Sequence, residues 1–525
     1  MMKQQCRTFS YWLQLSLIAT PLGFTTSTLA AEFDDSIEVI AENHLPQAEH
    51  IEQAELFDLV AAGRNEQAFE LAFEVGDELF ETTFNVLDGI GAQVGDGQLF
   101  TRVPRADLNA EGEWATHIPA RATGPNAQAC NACHNQPSDD GAGAVNSNVH
   151  RDPLHSGTMG AFITRNTPHL FGLGGKQRLA EEMTDDLQQQ QDLAIDAACQ
   201  DGAEHTVELS SKGVSFGMLS VSRLSSNPCE VAIDTGQVAG VDADLVIKPL
   251  QWKGSDAFIR KFNREASHNE LGLQAVELVG YGVDGDGDGI IDEMTVGDQT
   301  ALMIYLAAQP RPVSTLELDN LGLIPSLTQP ERQQIRDGEE IFERTGCAAC
   351  HVPVLTVNDP VLYEPSRNIN YRDEVFPGGQ DPRAEGVDPS FAVSFDLTRD
   401  QPDNIIRSRG NRTRRLGSFE RDRQGRALIR LYSDLKRHDM GAALAENIDE
   451  TGSGAATWLT KPLWGVGSTA PYLHDGRATT LTGAILAHGG EAATAQQAFQ
   501  NLPSDEQQAL LAFLKSLVLF KLEEA

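Results

Sequence analysis

Two short stretches constrain this chain more than anything else in it. "AQACNACHNQP", residues 127 to 137, places Cys130 and Cys133 three apart with His134 directly behind, and "TGCAACHVP" repeats the pattern at Cys347, Cys350 and His351. Two copies more than two hundred residues apart demand two local structures that each present two sulfurs and an imidazole to one object. A redox dithiol needs a lowered thiol pKa and no following histidine. Structural zinc needs four ligands close together, and each motif offers three with no second Cys/His pair nearby. Covalent haem uses every residue, with two thioethers to the vinyl groups and the adjacent histidine on the iron.

The remaining cysteines fit that reading. Cys6 lies in an N-terminal stretch with basic Lys3 and Arg7, an apolar run "YWLQLSLIATPLGF" and a small-residue segment "TSTLAAEF". This pattern predicts a secretory signal peptide over residues 1–31, and hence export to a periplasm. Cys199 and Cys229 are then left over, and an oxidising compartment predicts that they pair, closing a loop of thirty residues. No later run is long and apolar enough to predict a membrane span. The net charge of −36 becomes −38 once the two cations of the signal are removed (−36 − 2). So acidic a surface argues against nucleic acid and favours a basic partner such as a small electron-donor protein, a cytochrome c or a cupredoxin.

Helical periodicity precedes each motif. "PERQQIRDGEEIFERTGCAACH" is an amphipathic helix ending in a glycine, and "EQAFELAFEVGDELFETTFN" aligns Gly76, Leu79 and Phe80 with Gly338, Ile341 and Phe342. We therefore expect a mainly α fold of two cytochrome c-like haem domains. The N-terminal one would run over 32–315 and the C-terminal one over 316–525, divided by the proline- and turn-rich stretch "AAQPRPVSTLELDNLGLIPSLTQPE". "HTVELSSKGVSFGMLSVSRL" alternates apolar and polar residues, which predicts a small β-rich insert at about 185–250, stapled by Cys199 and Cys229.

Motifs around the two haem sites carry a family resemblance. "RNTPHLFGLG" (165–174), "QWKGSDAFIRKFNREASHNELG" (251–272) and "KPLWGVGSTAPYLHDGRATTLTGAILAHGGEA" (461–492) resemble the bacterial di-haem cytochrome c peroxidase superfamily, which includes the MauG-type maturation enzymes, and within it the di-haem oxidoreductase branch. The resemblance implies a peroxidase-type oxidoreductase that takes hydrogen peroxide or another small oxidant at the N-terminal haem and receives electrons through the C-terminal one. It implies Glu270 as the proton-transferring carboxylate and Trp252 as the indole between the haems, although the family's tryptophan-Asp-Gly-Arg reads "WKGS" here and the spacing to the glutamate is two residues shorter. On the second iron it implies His488 opposite His351, with Met440 as the other candidate. On the first, His150 and His155 stand where peroxidases carry a dissociable distal histidine, a hydrogen-bonding role in a loop being the alternative. His474 resembles the family's "HDG" histidine, beside the second haem and not a ligand. Trp114, Trp458 and Trp464 read as packing residues. A non-enzymatic electron-transfer cytochrome and a MauG-like oxidation of a protein or organic substrate are the competing functions.

Finally, "GVDGDGDGIIDEMTVGD" spaces Asp284, Asp286 and Asp288 with Ile290 and Asp292 as in an EF-hand-type loop. Thr295 stands where a bidentate Glu is usual, so Glu293 or Asp298 would have to complete a calcium shell.

Overall fold

Glycines, as much as apolar residues, decide how this chain packs. The helix Asn65–Glu81 precedes the first CxxCH motif in the sequence and buries Ala68, Phe69, Ala72, Phe73, Gly76, Leu79 and Phe80 along one stripe. A Cβ on Gly76 would lie 2.3 Å from the carbonyl oxygen of Ala301 and 2.7 Å from Cβ of Tyr305, both on the helix Val296–Ala308. Only glycine lets the two backbones approach so closely. The helix Gln329–Arg344 leads into the second motif and repeats the device: a Cβ on Gly338 would lie 2.0 Å from the Ala509 oxygen and 2.8 Å from Cβ of Phe513, on the helix Ser504–Ser516. In both pairs the two residues met are four apart, one helical turn on the same face.

The aromatic residue after each glycine then reaches the motif histidine. Ring centroids of Phe80 and His134 are 6.1 Å apart, those of Phe342 and His351 6.5 Å, at interplanar angles of 50° and 51°. One local architecture thus occurs twice, around two separate apolar clusters.

These observations come from a computed structural model that describes residues 47–91, 125–154, 159–409 and 412–520. The expected signal peptide, Trp114 and His155 lie outside the described residues. From Pro46 onward the chain forms one compact unit. In the stretch expected as a linker, Val313–Ser314 pairs antiparallel with Leu517–Val518, and Thr315–Leu321 is helical with Ser314 as its cap.

The expectation of a mainly α fold needs correction. Helix accounts for 36% and strand for 17%, and the strands fall into seven small sheets among the described residues. Much of that strand lies after the second motif, where short β-branched runs such as Leu355–Val357 and Val361–Glu364 pair across long connections. The insert begins later than expected. A helix runs from Leu173 to Asp201 and stops at Gly202 in the left-handed region (φ 75°). Three antiparallel strands follow, His205–Ser211, Val214–Ser226 and Cys229–Val238. Cys199 at the end of that helix is bonded to Cys229 at the start of the last strand.

Candidate functional site

Both motifs open into one cavity of about 700 Å³, lined by Cys130, Cys133 and His134 from the first and Cys347, Cys350 and His351 from the second. Each motif is a tight turn: the His134 amide donates to the Cys130 carbonyl (3.1 Å) and the His351 amide to the Cys347 carbonyl (3.0 Å), which brings sulfurs and imidazole to one side. Nδ1 of His134 faces the Gly141 carbonyl at 3.2 Å and Nδ1 of His351 that of Tyr432 at 3.0 Å. Such outer contacts fix a ligating ring and leave Nε2 as the nitrogen for a metal. Burial pushes both imidazoles down to about 4, so at neutral pH they are in the neutral, ligating form.

The thiols discriminate between the chemistries that CxxC permits. The four motif cysteines form no disulfide. Burial pushes the Cys130 thiol up to about 12 and raises Cys347 as well, the opposite of an activated redox dithiol. Among the described residues the only cluster of metal-type ligands at either motif is Cys350 with Asp434 and His438, which lacks the second cysteine that structural zinc would take. Paired half-buried sulfurs, a neutral imidazole and a large apolar wall fit haem.

Opposite the second motif, His488 follows the helix Leu481–Ala487, with Nδ1 on the Ala484 carbonyl at 2.8 Å. It lines the cavity and lies within electrostatic reach of His351. Met440 lines the same cavity, its amide bonded to the Ala456 carbonyl. His150 is placed differently. It sits between Val149 and Arg151 on a short strand, those two neighbours line the cavity, and its own Nδ1 is 3.1 Å from the Thr164 hydroxyl. Strand alternation turns its side chain to the other face.

Glu270 is held in a single π-helical turn, Ser267–Leu271, directly after the helix Ile259–Ala266. Such turns are rare and frequent at functional sites. Its carboxylate accepts from the Asn126 side-chain amide, and its carbonyl from the amides of Asn126 and Ala127. Burial raises its pKa, while the Asn126 hydrogen bond and the charge of Arg151 oppose the shift. His268 is buried and does not line the cavity, so it does not face solvent.

Trp252 also lines the cavity. Its indole N–H donates to the Asn166 carbonyl at 2.8 Å, and the Lys461 ammonium stands 4.8 Å from its ring centroid. The Asn166 amide donates to the His474 carbonyl at 2.7 Å, so the "NTP" and "HDG" segments, three hundred residues apart, meet here. His474 stacks on Trp458 with centroids 3.9 Å apart and planes 14° apart. Trp458 and Trp464, expected as packing residues, are both buried and both form cavity wall.

Several wall residues escaped the sequence reading. His438 bonds Asp434 through Nε2 (2.8 Å) and Glu491 through Nδ1 (2.7 Å). Burial alone would lower its pKa, but these bonds and one to Cys350 raise it to about 11. Lys176, Lys461, His169 and Arg165 also line the cavity. Each is a single residue without local periodicity, so only the fold brings it to the site.

The acidic loop is half as expected. One carboxylate oxygen from each of Asp284, Asp286 and Asp288 lies within 4.8 Å of the others. Asp292, with positive φ (54°), instead accepts from the Gly282 amide, and the Ile290 amide donates to Asp288. Both residues expected to complete the shell hold partners within the protein. Glu293 accepts from the Gln274 amide, and Asp298 caps the helix Val296–Ala308 while bonding His50 and the Ile51 amide.

Comparison with known proteins adds a family. A hydrazine synthase structure from Kuenenia stuttgartiensis, pressurised with xenon, aligns over 95% of this chain and 100% of its own at 12% identity and a TM-score of 0.31. No curated protein matches. Residues 422–517 match the model of a family described as "Di-haem oxidoreductase, putative peroxidase". That stretch includes His438, Met440, His474, His488 and the whole of the helix Ser504–Ser516, and over it the chain is similar to that family.

Proposed function

We propose that this chain is a periplasmic di-haem c-type oxidoreductase of the peroxidase type. The observation that carries the reading is a single cavity walled by both CxxCH motifs, with the half-buried carboxylate of Glu270 in the same wall. Cys130, Cys133 and His134 would hold the peroxide-reactive haem. Cys347, Cys350, His351 and His488 would hold the electron-transfer haem. When bound, these groups supply the iron and the electrons for reducing hydrogen peroxide.

The protein's own part is proton handling, positioning and exclusion of water. Peroxide reduction requires a proton to leave one oxygen and arrive at the other. A buried carboxyl whose pKa is raised accepts and returns a proton near neutrality more readily than an exposed one. Asn126 orients Glu270 by donating to it, and the π-turn keeps the group directed into the wall. Trp252, fixed by Asn166, lines the cavity that both motifs share and would serve as the indole between the haems. The doubled helix pairing at Gly76 and Gly338 supports two cytochrome c-like units, one per haem. The acidic composition supports a basic electron donor, and the Asp284–Asp288 carboxylates support a structural calcium ion in that loop.

The test is peroxide turnover by the purified holoprotein and by Glu270→Gln. The reading expects turnover with both haems in place, and a loss of ~10²- to 10⁴-fold in the variant, the usual contribution of a general acid–base. Equal turnover in both would remove Glu270 from the reaction.

A further inference from the structure

We propose that Lys176 and Lys461 form a clamp for two carboxylates, those of the propionate side chains of the haem carried by Cys130 and Cys133. The inference rests on the haem assignment and goes on to name what holds the opposite, anionic edge of that group.

Lys176 is 6% exposed, yet its ammonium group has no hydrogen bond or ion pair among the described residues. It lies in the first turn of the helix Leu173–Asp201, whose cap, Gly172, has no side chain to accept from the free amides and whose first turn carries no acidic residue. A helix start favours an anion, and here no described residue supplies one. Lys461 donates to the Gln251 carbonyl at 2.8 Å and stands over Trp252, again without a carboxylate. Burial, with repulsion from Lys176 and Arg165, holds Lys461 well below its ordinary range, and burial lowers Lys176 to about 8.

Neighbouring carboxylates are engaged elsewhere. Glu181 is taken by Arg178 and Gln177, and Glu446 and Glu450 by Arg165. Lys176, buried, and Lys461, half-buried, line the cavity with no carboxylate bonded to either ammonium among the described residues, an arrangement that is costly, which is why such groups are normally paired. Two carboxylates in the cavity would pair both. His169 lies within electrostatic reach of Lys176, Lys461 and His134 together, which puts the lysine pair on the side of the first motif. A free dicarboxylate would offer the same chemistry, so the experiment separates the two sources.

Holoprotein is prepared as wild type, Lys176→Met, Lys461→Met and Lys176→Arg. Haem content is read by the pyridine haemochrome, each haem by potentiometric titration, and the propionate bending modes by resonance Raman. The clamp predicts that both haems stay attached in every variant. It predicts that in each Met variant the reduced-to-oxidised ratio of the first haem at fixed poise falls about tenfold, 59 mV for one electron, because loss of a cation favours the ferric state. The propionate bending frequency should move with it, and Lys176→Arg should restore both. Unchanged potential and bending modes with both haems attached would overturn the clamp while leaving the haem assignment intact. A wild-type potential that shifts on adding succinate, with that shift abolished in the Met variants, would also overturn it and assign the lysines to a free carboxylate. Absence of haem from wild type would instead overturn the assignment beneath it.

Discussion

Replacing Gly338 with alanine is a sharp test of the packing that frames the second haem site. In an ordinary exposed helix the change would stabilise by up to about 1 kcal/mol, since alanine is the better helix former. Here the new Cβ would stand 2.0 Å from the Ala509 carbonyl oxygen and 2.8 Å from Cβ of Phe513. Backbone cannot rotate away as a side-chain tip can, so the helices Gln329–Arg344 and Ser504–Ser516 must separate by more than about 1 Å to restore ordinary contact. Opening a packed interface in this way typically costs 1–3 kcal/mol, or more where backbone blocks the new atom. A net destabilisation of ~1–3 kcal/mol is expected, with weaker packing of Phe342 against Phe513 and a less fixed His351 ring. Gly346→Ala is the internal control. That residue has φ +85° with nothing within 4 Å of a Cβ, so only backbone strain of ~1 kcal/mol applies. Urea unfolding of the three holoproteins, followed by helix signal and by haem absorbance, checks the order wild type, Gly346→Ala, Gly338→Ala. A Gly338→Ala protein as stable as wild type or more so would refute the close-crossing argument.

Other outcomes follow from the same coordinates. Gly76→Ala, blocked by the Ala301 oxygen at 2.3 Å, should destabilise in the same range and perturb the first haem's spectrum before the second's. His438, raised to about 11 by Asp434 and Glu491, should contribute stability that is fully present below about pH 6.5 and lost as pH rises through 11; comparing wild type with His438→Gln in urea from pH 6 to 10 should show the difference shrinking with pH. Removing the Cys199–Cys229 bond by Cys199→Ser with Cys229→Ser should cost ~3 kcal/mol on loop-entropy grounds and leave both haem spectra unchanged, measured by proteolysis of the insert and by optical spectra. Turnover that depends on Glu270 should show a pH limb above the ordinary carboxylate range, because burial raises that group, and Glu270→Gln should abolish the limb.

The helices before each motif were legible because their apolar residues recur every three to four positions, and the second is followed by the chain-reversing Gly346. The doubled Gly, aliphatic and aromatic pattern even marked the residues at which helices cross, though not the partners Ala301 and Ala509, which lie in distant helices with no matching local signal. The β-rich insert was legible from alternation. Its start was not, because 185–201 is polar enough to pass for a loop edge yet continues a long helix whose first part is buried. The small sheets after the second motif escaped because runs of three or four residues carry too little periodicity. Cavity walls built from isolated residues such as Lys176, His438 and Trp458 are written in tertiary geometry alone. In the loop near Asp284 the alternating spacing marked the three carboxylates that come together, while the partners of Asp292, Glu293 and Asp298, namely Gly282, Gln274 and the helix cap, are set by the fold.

The most direct test of the central claim is an optical and EPR spectrum of the purified holoprotein, oxidised and half-reduced, before and after hydrogen peroxide. Two haems per chain, one of them with a high-spin signal that peroxide shifts, is the predicted result. Two low-spin haems inert to peroxide in both redox states would contradict it and make the chain an electron carrier.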